Sequence, residues 1–231
     1  MVQAVLFDFY GTLARWRDLQ RSSYAGVFAR YGYAIPEDVM MAYTDRYDGI
    51  EHPEHSTDAA TYDAWVRFRL RQLAAECGIA SGHVQQVIDD LRAADHGEMC
   101  AYPEVVATLD ALRQRGYTIG VCSNWGWDLD AALDRAGLSE LVDTAVTSAQ
   151  AGARKPHPKM YQVTLAQLGV PAPEVLFVGD SWGPDVLGPQ TVGMAAVHVW
   201  RPAERDGQVA PELEGPTRRI ADLSELLALL S

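Results

Sequence analysis

Short apolar runs that end in a polar residue constrain the fold of this chain more than any other feature. The first run, Ala-Val-Leu-Phe at residues 4–7, leads directly to Asp8. It is too short for a core helix, so it predicts a buried central strand with a carboxylate at its carboxyl end. Residues 119–124 and 175–180 repeat the pattern and end in Ser-Asn and in Gly-Asp. Because ligands bind at the carboxyl ends of strands in open α/β sheets, these strand ends are candidate functional positions.

Helix and strand patterns alternate along the chain after residue 102, which predicts a parallel sheet with right-handed crossover connections. The helices are expected at residues 104–115, 128–136, 158–168, 185–192 and 223–230, and further strands near residue 145 and at 195–199. Residues 201–217 are rich in Pro, Glu and Gly, and we expect them to form a surface loop.

The segment between the first two runs has a different character. Its apolar spacing predicts helices at residues 17–31, 36–47, 59–77 and 82–94, and no strand pattern appears in it. We therefore expect two domains. Residues 1–14 and 99–231 form an α/β core, and residues 15–98 form an inserted all-helical domain.

Composition and charge narrow the possible functions. Apolar residues make up 48% of the chain and charged residues 22%, and no apolar run approaches the roughly 18 residues that span a bilayer. The N-terminus shows no signal-peptide pattern, so a cytoplasmic location is expected. A formal net charge of −12 argues against nucleic-acid binding, which depends on neutralising phosphates with Lys and Arg, and against anionic membranes. We expect a small-molecule substrate, and the oligomeric state is left open.

Four stretches of the chain resemble a known family. They are residues 4–12, residues 119–124, the Arg-Lys-Pro sequence at residues 154–156, and residues 175–185 with Asp180 and Asp185. In this order and spacing they resemble the signature of the haloacid dehalogenase superfamily of phosphatases and related hydrolases. The resemblance implies a Rossmann-like parallel sheet with residues 15–98 as a helical cap over the active site.

The resemblance also implies roles for individual residues. Asp8 is the expected nucleophile, since a carboxylate that attacks a phosphoryl group forms an aspartyl phosphate. Lys155 is the expected cation that holds the nucleophile and the substrate together. The groups expected to bind the phosphoryl group are Thr12, Ser123, Asn124 and Lys155. The expected ligands of Mg²⁺ are Asp8, the backbone carbonyl of Tyr10, Asp180 and Asp185. Taken alone, Asp8 and Asp185 can also be ordinary turn or helix-cap residues.

Tyr10 departs from the phosphatase pattern. Most phosphatases of the superfamily have an Asp two residues after the nucleophile, where it protonates the leaving group. A Tyr in that position is similar to the 2-haloacid dehalogenases, whose halide leaving group needs no proton. An unperturbed phenol has a pKa near ~10 and is a poor proton donor. Tyr10 is therefore a candidate catalytic residue whose role differs between the two reactions.

Three hypotheses follow. The first is a Mg²⁺-dependent phosphatase that acts on a small phosphorylated metabolite through an aspartyl-phosphate intermediate, and Asp180 with Asp185 favours it. The second is a metal-independent 2-haloacid dehalogenase that forms an ester on Asp8, and Tyr10 favours it. The third is a non-catalytic binding protein that retained the fold, and the intact Asp8, Lys155 and Asp180 argue against it. Two matching acids outweigh one substitution, so the sequence favours the phosphatase.

Overall fold

A computed structural model describes residues 1–18, 23–94, 98–205, 208–213 and 215–230. The strands in these ranges are β1 (Ala4–Phe7), β2 (Ala14–Trp16), β3 (Met99–Ala101), β4 (Thr118–Ser123), β5 (Thr144–Thr147), β6 (Val175–Gly179), β7 (Ala195–Val199) and β8 (Arg218–Ile220). Six of these described strands form one parallel sheet in the order β5-β4-β1-β6-β7-β8. The predicted α/β class with a Rossmann-like parallel sheet is confirmed.

Strand β1 lies inside the sheet, between β4 and β6. Its side chains alternate between two clusters of buried residues: Val5 and Phe7 belong to one, and Ala4 and Leu6 belong to the other. A strand that is buried on both faces has a continuous apolar sequence, which explains why residues 4–7 show no polar alternation. Asp8 is therefore the first residue of this segment with a charge.

The helices of the described residues are α1 (Tyr24–Arg30), α2 (Glu37–Tyr47), α3 (Ala59–Glu76), α4 (Ser81–Ala94), α5 (Val105–Gln114), α6 (Leu129–Arg135), α7 (Ser148–Ala151), α8 (Pro158–Leu168), α9 (Gly188–Thr191) and α10 (Leu226–Leu229). The helix expected at residues 185–192 is instead a wide π-type turn at Trp182–Leu187 that continues into α9. Within the described ranges, every helix is either too short or too polar to span a bilayer.

Helices α1 to α4 contain a hydrophobic cluster of their own, which includes Phe28, Leu70, Leu73 and Ile88. Apart from Ala149 of α7, the residues of this cluster lie within the segment that the sequence assigns to the cap. The domain limits themselves, 15–98 for the cap and 1–14 with 99–231 for the core, stay a prediction.

The first cap helix is shorter than expected. It begins at Tyr24, where the hydroxyl of Ser23 accepts a hydrogen bond from the amide of Gly26 at 3.0 Å. The expected start at residue 17 is wrong, because the chain there leaves strand β2, and residues 19–22 of the expected helix lie outside the described residues.

The two connections between the cap segment and the core form an antiparallel pair. Strand β2 pairs with β3, with Arg15 opposite Cys100, although the sequence predicts no strand in residues 15–98. Each strand has only three residues, and its partner lies more than eighty positions away. Such pairing leaves no local periodicity that a sequence reading can detect.

Candidate active site

Three strand ends meet at the carboxyl edge of the sheet. Asp8 follows β1, Ser123 is the last residue of β4, and Asp180 follows β6. Because β1 lies between β4 and β6, the three side chains come from adjacent strands. The hydroxyl of Ser123 donates a hydrogen bond to Oδ1 of Asp8 at 2.9 Å.

Lys155 reaches the same point from the loop that precedes α8. Its Nζ lies 2.8 Å from Oδ1 of Asp8 and 2.6 Å from Oδ1 of Asp185, and it donates to the carbonyl of Cys122 at 2.9 Å. Only 2% of Lys155 is exposed. Burial by itself lowers the pKa of Lys155, but the carboxylates of Asp185 and Asp8 outweigh it and raise that pKa well above its ordinary value. Lys155 is therefore a buried cation held between two carboxylates.

The carboxylates of Asp8, Asp180 and Asp185 each place an oxygen within 4.8 Å of the other two. Burial, and then the charge of Asp8, raise the pKa of Asp180 to about 6. Burial also raises the pKa of Asp185 to about 7, although Lys155 opposes the shift. Upward shifts of this kind mean that buried negative charge is not fully balanced. The structure thus brings these residues together as the sequence predicts, and their role as metal ligands stays a prediction.

Two glycines make room for these carboxylates. A Cβ on Gly179 would lie 2.5 Å from the side chain of Asp185, and a Cβ on Gly11 would lie 2.6 Å from Oδ2 of Asp180. Gly11 also has a φ of +84°, in the left-handed region that favours glycine. Close packing of backbone against carboxylate therefore fixes where Asp180 and Asp185 point.

Tyr10 and Thr12 belong to the turn after β1. The side chain of Tyr10 lines the cavity described below and is 36% exposed. Burial, followed by the charges of Asp180 and Glu204, raises the pKa of Tyr10, so its phenol is a weaker acid than a free tyrosine. Thr12 is fully buried, and its hydroxyl has no hydrogen-bond partner within the described ranges. The catalytic role of Tyr10, its backbone carbonyl as a ligand, and phosphate binding by Thr12 stay predictions.

Asn124 holds the loop that carries Lys155. Its Oδ1 accepts a hydrogen bond from the amide of Lys155 at 2.7 Å, and its Nδ2 donates to the carbonyl of Lys155 at 3.1 Å. Both ends of the Asn124 side-chain amide are thus engaged in positioning Lys155. The predicted contact of Asn124 with a phosphoryl group is not tested by this geometry.

Arg205 is a charged neighbour of the site that the sequence reading missed. Its guanidinium donates to the carboxylate of Asp180 and, at 3.2 Å, to the backbone carbonyl of the same residue. The expected surface loop at 201–217 therefore contributes Arg205 to the site, and strand β8 begins directly after this loop, at Arg218. An isolated Arg in a segment of turn residues carries no signal that it folds back onto a strand end.

The candidate site opens into a cavity of about 520 Å³ that lies between the strand ends and the helices of the cap segment. The core lines it with Asp8, Ser123, Lys155 and Asp180, and the cap segment lines it with Tyr24, Tyr62 and Arg69. A polar floor with a partly aromatic roof suits a small charged molecule.

The parallel sheet, the strand-end carboxylate and the buried lysine agree with the class of hydrolase that the four stretches resemble. The model of the haloacid dehalogenase-like hydrolase family matches residues 2–193, so the chain belongs to this family and is a hydrolase.

Relatives of two chemical kinds resemble the whole chain. A ribulose-1,5-bisphosphate 5-phosphatase of Halopiger xanaduensis is 28% identical over 241 residues and covers 100% of both chains. An (S)-2-haloacid dehalogenase 4A of Burkholderia cepacia is 28% identical over 100% of this chain and 95% of its own. Among solved structures, the L-2-haloacid dehalogenase of Xanthobacter autotrophicus has a TM-score of 0.67 at 25% identity, over 100% of this chain and 98% of its own. The chain is thus similar both to a phosphatase and to 2-haloacid dehalogenases.

Proposed function

We propose that this protein is a Mg²⁺-dependent phosphatase that acts on a small phosphorylated metabolite through an aspartyl-phosphate intermediate on Asp8. The observation that carries the proposal is the meeting of Asp8, Asp180 and Asp185, whose oxygens lie within 4.8 Å of one another. Displacement of a halide requires a nucleophile, and hydrolysis of the resulting ester can use one further carboxylate as a base for water, but neither step gives the second and third acids a common task. Phosphoryl transfer gives them one, because they can hold a divalent cation beside the phosphate.

The residues present suit Mg²⁺. The ion prefers oxygen ligands at ~2.0–2.1 Å, which places two ligands of one ion roughly 3–4 Å apart. The raised pKa values of Asp180 and Asp185 support a cation site, since a bound cation stabilises both groups as carboxylates. The backbone carbonyl of Tyr10 is retained as a proposed further ligand. When bound, the ion neutralises negative charge on the phosphoryl group.

Asp8 acts as the nucleophile in this proposal. Its carboxylate oxygen bonds to phosphorus while the bond from phosphorus to the leaving oxygen breaks, and water then hydrolyses the acyl phosphate and frees Asp8. Lys155, which lies 2.8 Å from Asp8, places a positive charge where the phosphoryl oxygens arrive. The hydroxyl of Ser123 can move its hydrogen bond from Asp8 to a phosphoryl oxygen. Thr12 and Asn124 are retained as proposed phosphate-binding residues.

The second candidate is a 2-haloacid dehalogenase, and Tyr10 is the observation that favours it. In that reaction an oxygen of Asp8 bonds to the carbon that carries the halogen, halide leaves, and water hydrolyses the resulting ester. Halide needs no proton, so the weakly acidic Tyr10 is no handicap. This candidate requires no metal, and it gives roles to the nucleophile and to one base for water but not to a third acid.

We also propose that residues 15–98 act as a cap and that the protein works in the cytoplasm. The cap is supported by the cavity, which side chains of α1, α3 and the strand ends line together. Closure of such a cap excludes water from the nucleophile and from the acyl phosphate.

One assay on two substrates tests the proposal. Hydrolysis of 4-nitrophenyl phosphate is followed with Mg²⁺ and with EDTA, beside halide release from 2-chloropropionate. We expect phosphate release that depends on Mg²⁺ and is lost in Asp8→Asn, because an amide cannot attack phosphorus. Asp110→Asn, at an exposed position of α5, is the matched control for the loss of one charge. Metal-independent chloride release without phosphate release would replace the phosphatase by the dehalogenase.

A further inference from the structure

Arg69 lines the cavity from the cap segment, and Asp8 lines it from the core. Arg69 lies on α3 on the same face as Tyr62 and Val66, which also line the cavity and are spaced at helical intervals from it. Only 6% of Arg69 is exposed. The structure therefore places a buried guanidinium in the wall of the cavity that contains the candidate nucleophile.

Aromatic rings surround this guanidinium where a carboxylate is usually found. Its Cζ lies 4.3 Å from the ring centre of Tyr47, 4.7 Å from that of Trp65 and 5.5 Å from that of Tyr43. Nη2 donates to the hydroxyl of Tyr43 at 3.3 Å, and the buried Nε has no hydrogen-bond partner in the part of the chain that the structure describes. No described carboxylate lies within 4.0 Å of the Arg69 nitrogens.

Two other arginines line the cavity, and both have acidic partners. Arg92 lies 2.7 Å from Asp63, and Arg154 lies 3.3 Å from Asp48. A buried cation without an anionic partner is unfavourable, and contacts with aromatic faces offset only part of that cost. Arg69 therefore has unused capacity to bind an anion that enters the cavity.

We propose that Arg69 binds a second anionic group of the substrate, a carboxylate or a second phosphate, while the phosphoryl group to be hydrolysed lies at Asp8. This inference rests on the proposed phosphatase function. A guanidinium presents its N–H groups in a planar fork that matches two oxygens of a carboxylate or phosphate. Arg69 is then a specificity residue, because a substrate with one anionic group leaves its buried charge unpaired.

Binding of non-hydrolysable probes tests this role directly. Phosphonoalkanoates and alkane bisphosphonates are compared with alkyl monophosphonates of the same chain lengths by isothermal titration calorimetry in the presence of Mg²⁺. We expect the best-fitting doubly anionic probe to bind about ten- to a hundredfold more tightly than its singly anionic counterpart, the range of a charge-assisted hydrogen bond. The two doubly anionic series show which group Arg69 prefers.

Arg69→Met and Arg67→Met form a matched pair of variants. Arg69→Met removes the charge but keeps an apolar side chain among the rings, and we expect it to abolish the preference for two anionic groups. Arg67 lies on the same helix, pairs with Asp63 and Asp89, and is not among the described residues that line the cavity. Arg67→Met should keep the preference.

Two outcomes overturn the proposal: equal binding of both kinds of probe by the wild-type protein, or a preference that survives Arg69→Met. The wild-type comparison needs no variant, so equal binding of the two kinds of probe overturns the proposal even if Arg69→Met does not fold. Hydrolysis of 4-nitrophenyl phosphate by the wild-type protein tests the phosphatase proposal separately. Absence of that hydrolysis, together with a preference for two anionic groups that Arg69→Met abolishes, would overturn the phosphatase reaction and support Arg69 as the anion-binding residue.

Discussion

Replacement of Lys155 by Met tests the balance of charge at the centre of the site. The Lys155 ammonium lies 2.8 Å from Asp8 and 2.6 Å from Asp185, and all three side chains are at least nine-tenths buried. The substitution removes the cation and leaves two carboxylates with less compensation in a buried position. Removing one partner of a buried ion pair costs about 3–5 kcal/mol, so we expect the free energy of unfolding to fall by that amount above neutral pH.

The loss of stability in Lys155→Met should be larger at high pH than at low pH. The pKa of Asp185 is already raised to about 7 by burial while Lys155 opposes the shift, so removing Lys155 raises it further. A carboxyl group whose pKa is higher in the folded than in the unfolded state destabilises the fold when ionised, and this cost vanishes as pH falls toward the unfolded value near ~3.9. The difference in stability between Lys155→Met and wild type should therefore shrink from about pH 8 to about pH 5.

Urea unfolding at these two pH values, with EDTA and with Mg²⁺, measures the effect. Lys159→Met is the control, because Lys159 is the other lysine of the chain and forms an exposed pair with Glu51 at 3.2 Å. Exposed pairs contribute about 0–1 kcal/mol, so this variant should remain close to wild type. A loss in Lys155→Met no larger than in the control, or one that does not change with pH, would refute the reasoning.

Further predictions concern the leaving group, the metal and acid stability. Tyr10→Asp should raise hydrolysis of alkyl phosphates relative to aryl phosphates by up to about 10²–10⁴-fold, because it supplies a stronger acid for a poor leaving group. Equal rates of the wild-type protein on both substrates, with the chemical step rate-limiting, would contradict this prediction. Arg205→Gln should bind Mg²⁺ more tightly in calorimetry, since Arg205 competes for the carboxylate of Asp180; unchanged affinity would argue against competition. Burial, and then the charge of Arg154, lowers the pKa of His52 to about 4. At about pH 5 His52 is therefore protonated in the unfolded chain but neutral in the folded protein. The free energy of unfolding should fall by about 2 kcal/mol between neutral pH and about pH 5 for this reason. His52→Gln should make the free energy of unfolding in urea depend less on pH in this range. An unchanged pH dependence would contradict the lowered pKa of His52.

The core sheet and the strand-end residues could be predicted because their signals are local. Residues 4–7 are apolar without alternation since β1 is buried on both faces, and Asp8 comes at the strand end where the chain reaches the cavity. Lys155 is different, because a single lysine in a loop is ordinarily exposed. Only its order relative to the other motifs marked it, and the structure buries it against Asp8 and Asp185.

The contacts that the sequence did not reveal join segments far apart in the chain. Strands β2 and β3 pair across the whole cap segment, and Arg205 reaches Asp180 from a loop that reads as surface. Apolar spacing predicts the helix at residues 59–77 that contains Arg69, but whether the partners of Arg69 are acidic or aromatic depends on how α2 packs against α3. Such pairings are set by tertiary packing, which a period of 3.6 or 2 residues does not encode.

The negative charge around Asp8 affects the binding of both a metal ion and an anionic substrate. Two cations, Lys155 and Arg205, pair with the cluster of three acids formed by Asp8, Asp180 and Asp185. The fully ionised site is therefore negative, and the whole chain has a formal net charge of −12. A phosphate ester is itself an anion and is repelled by such a centre. A divalent cation reverses the sign of the local charge and turns the repulsion into attraction. A haloacid carboxylate meets the same repulsion unless one of the acids holds a proton, which the raised pKa values of Asp180 and Asp185 allow near neutral pH. In the proposed phosphatase a divalent cation would therefore remove the repulsion, whereas in the dehalogenase alternative a proton on one acid would remove it.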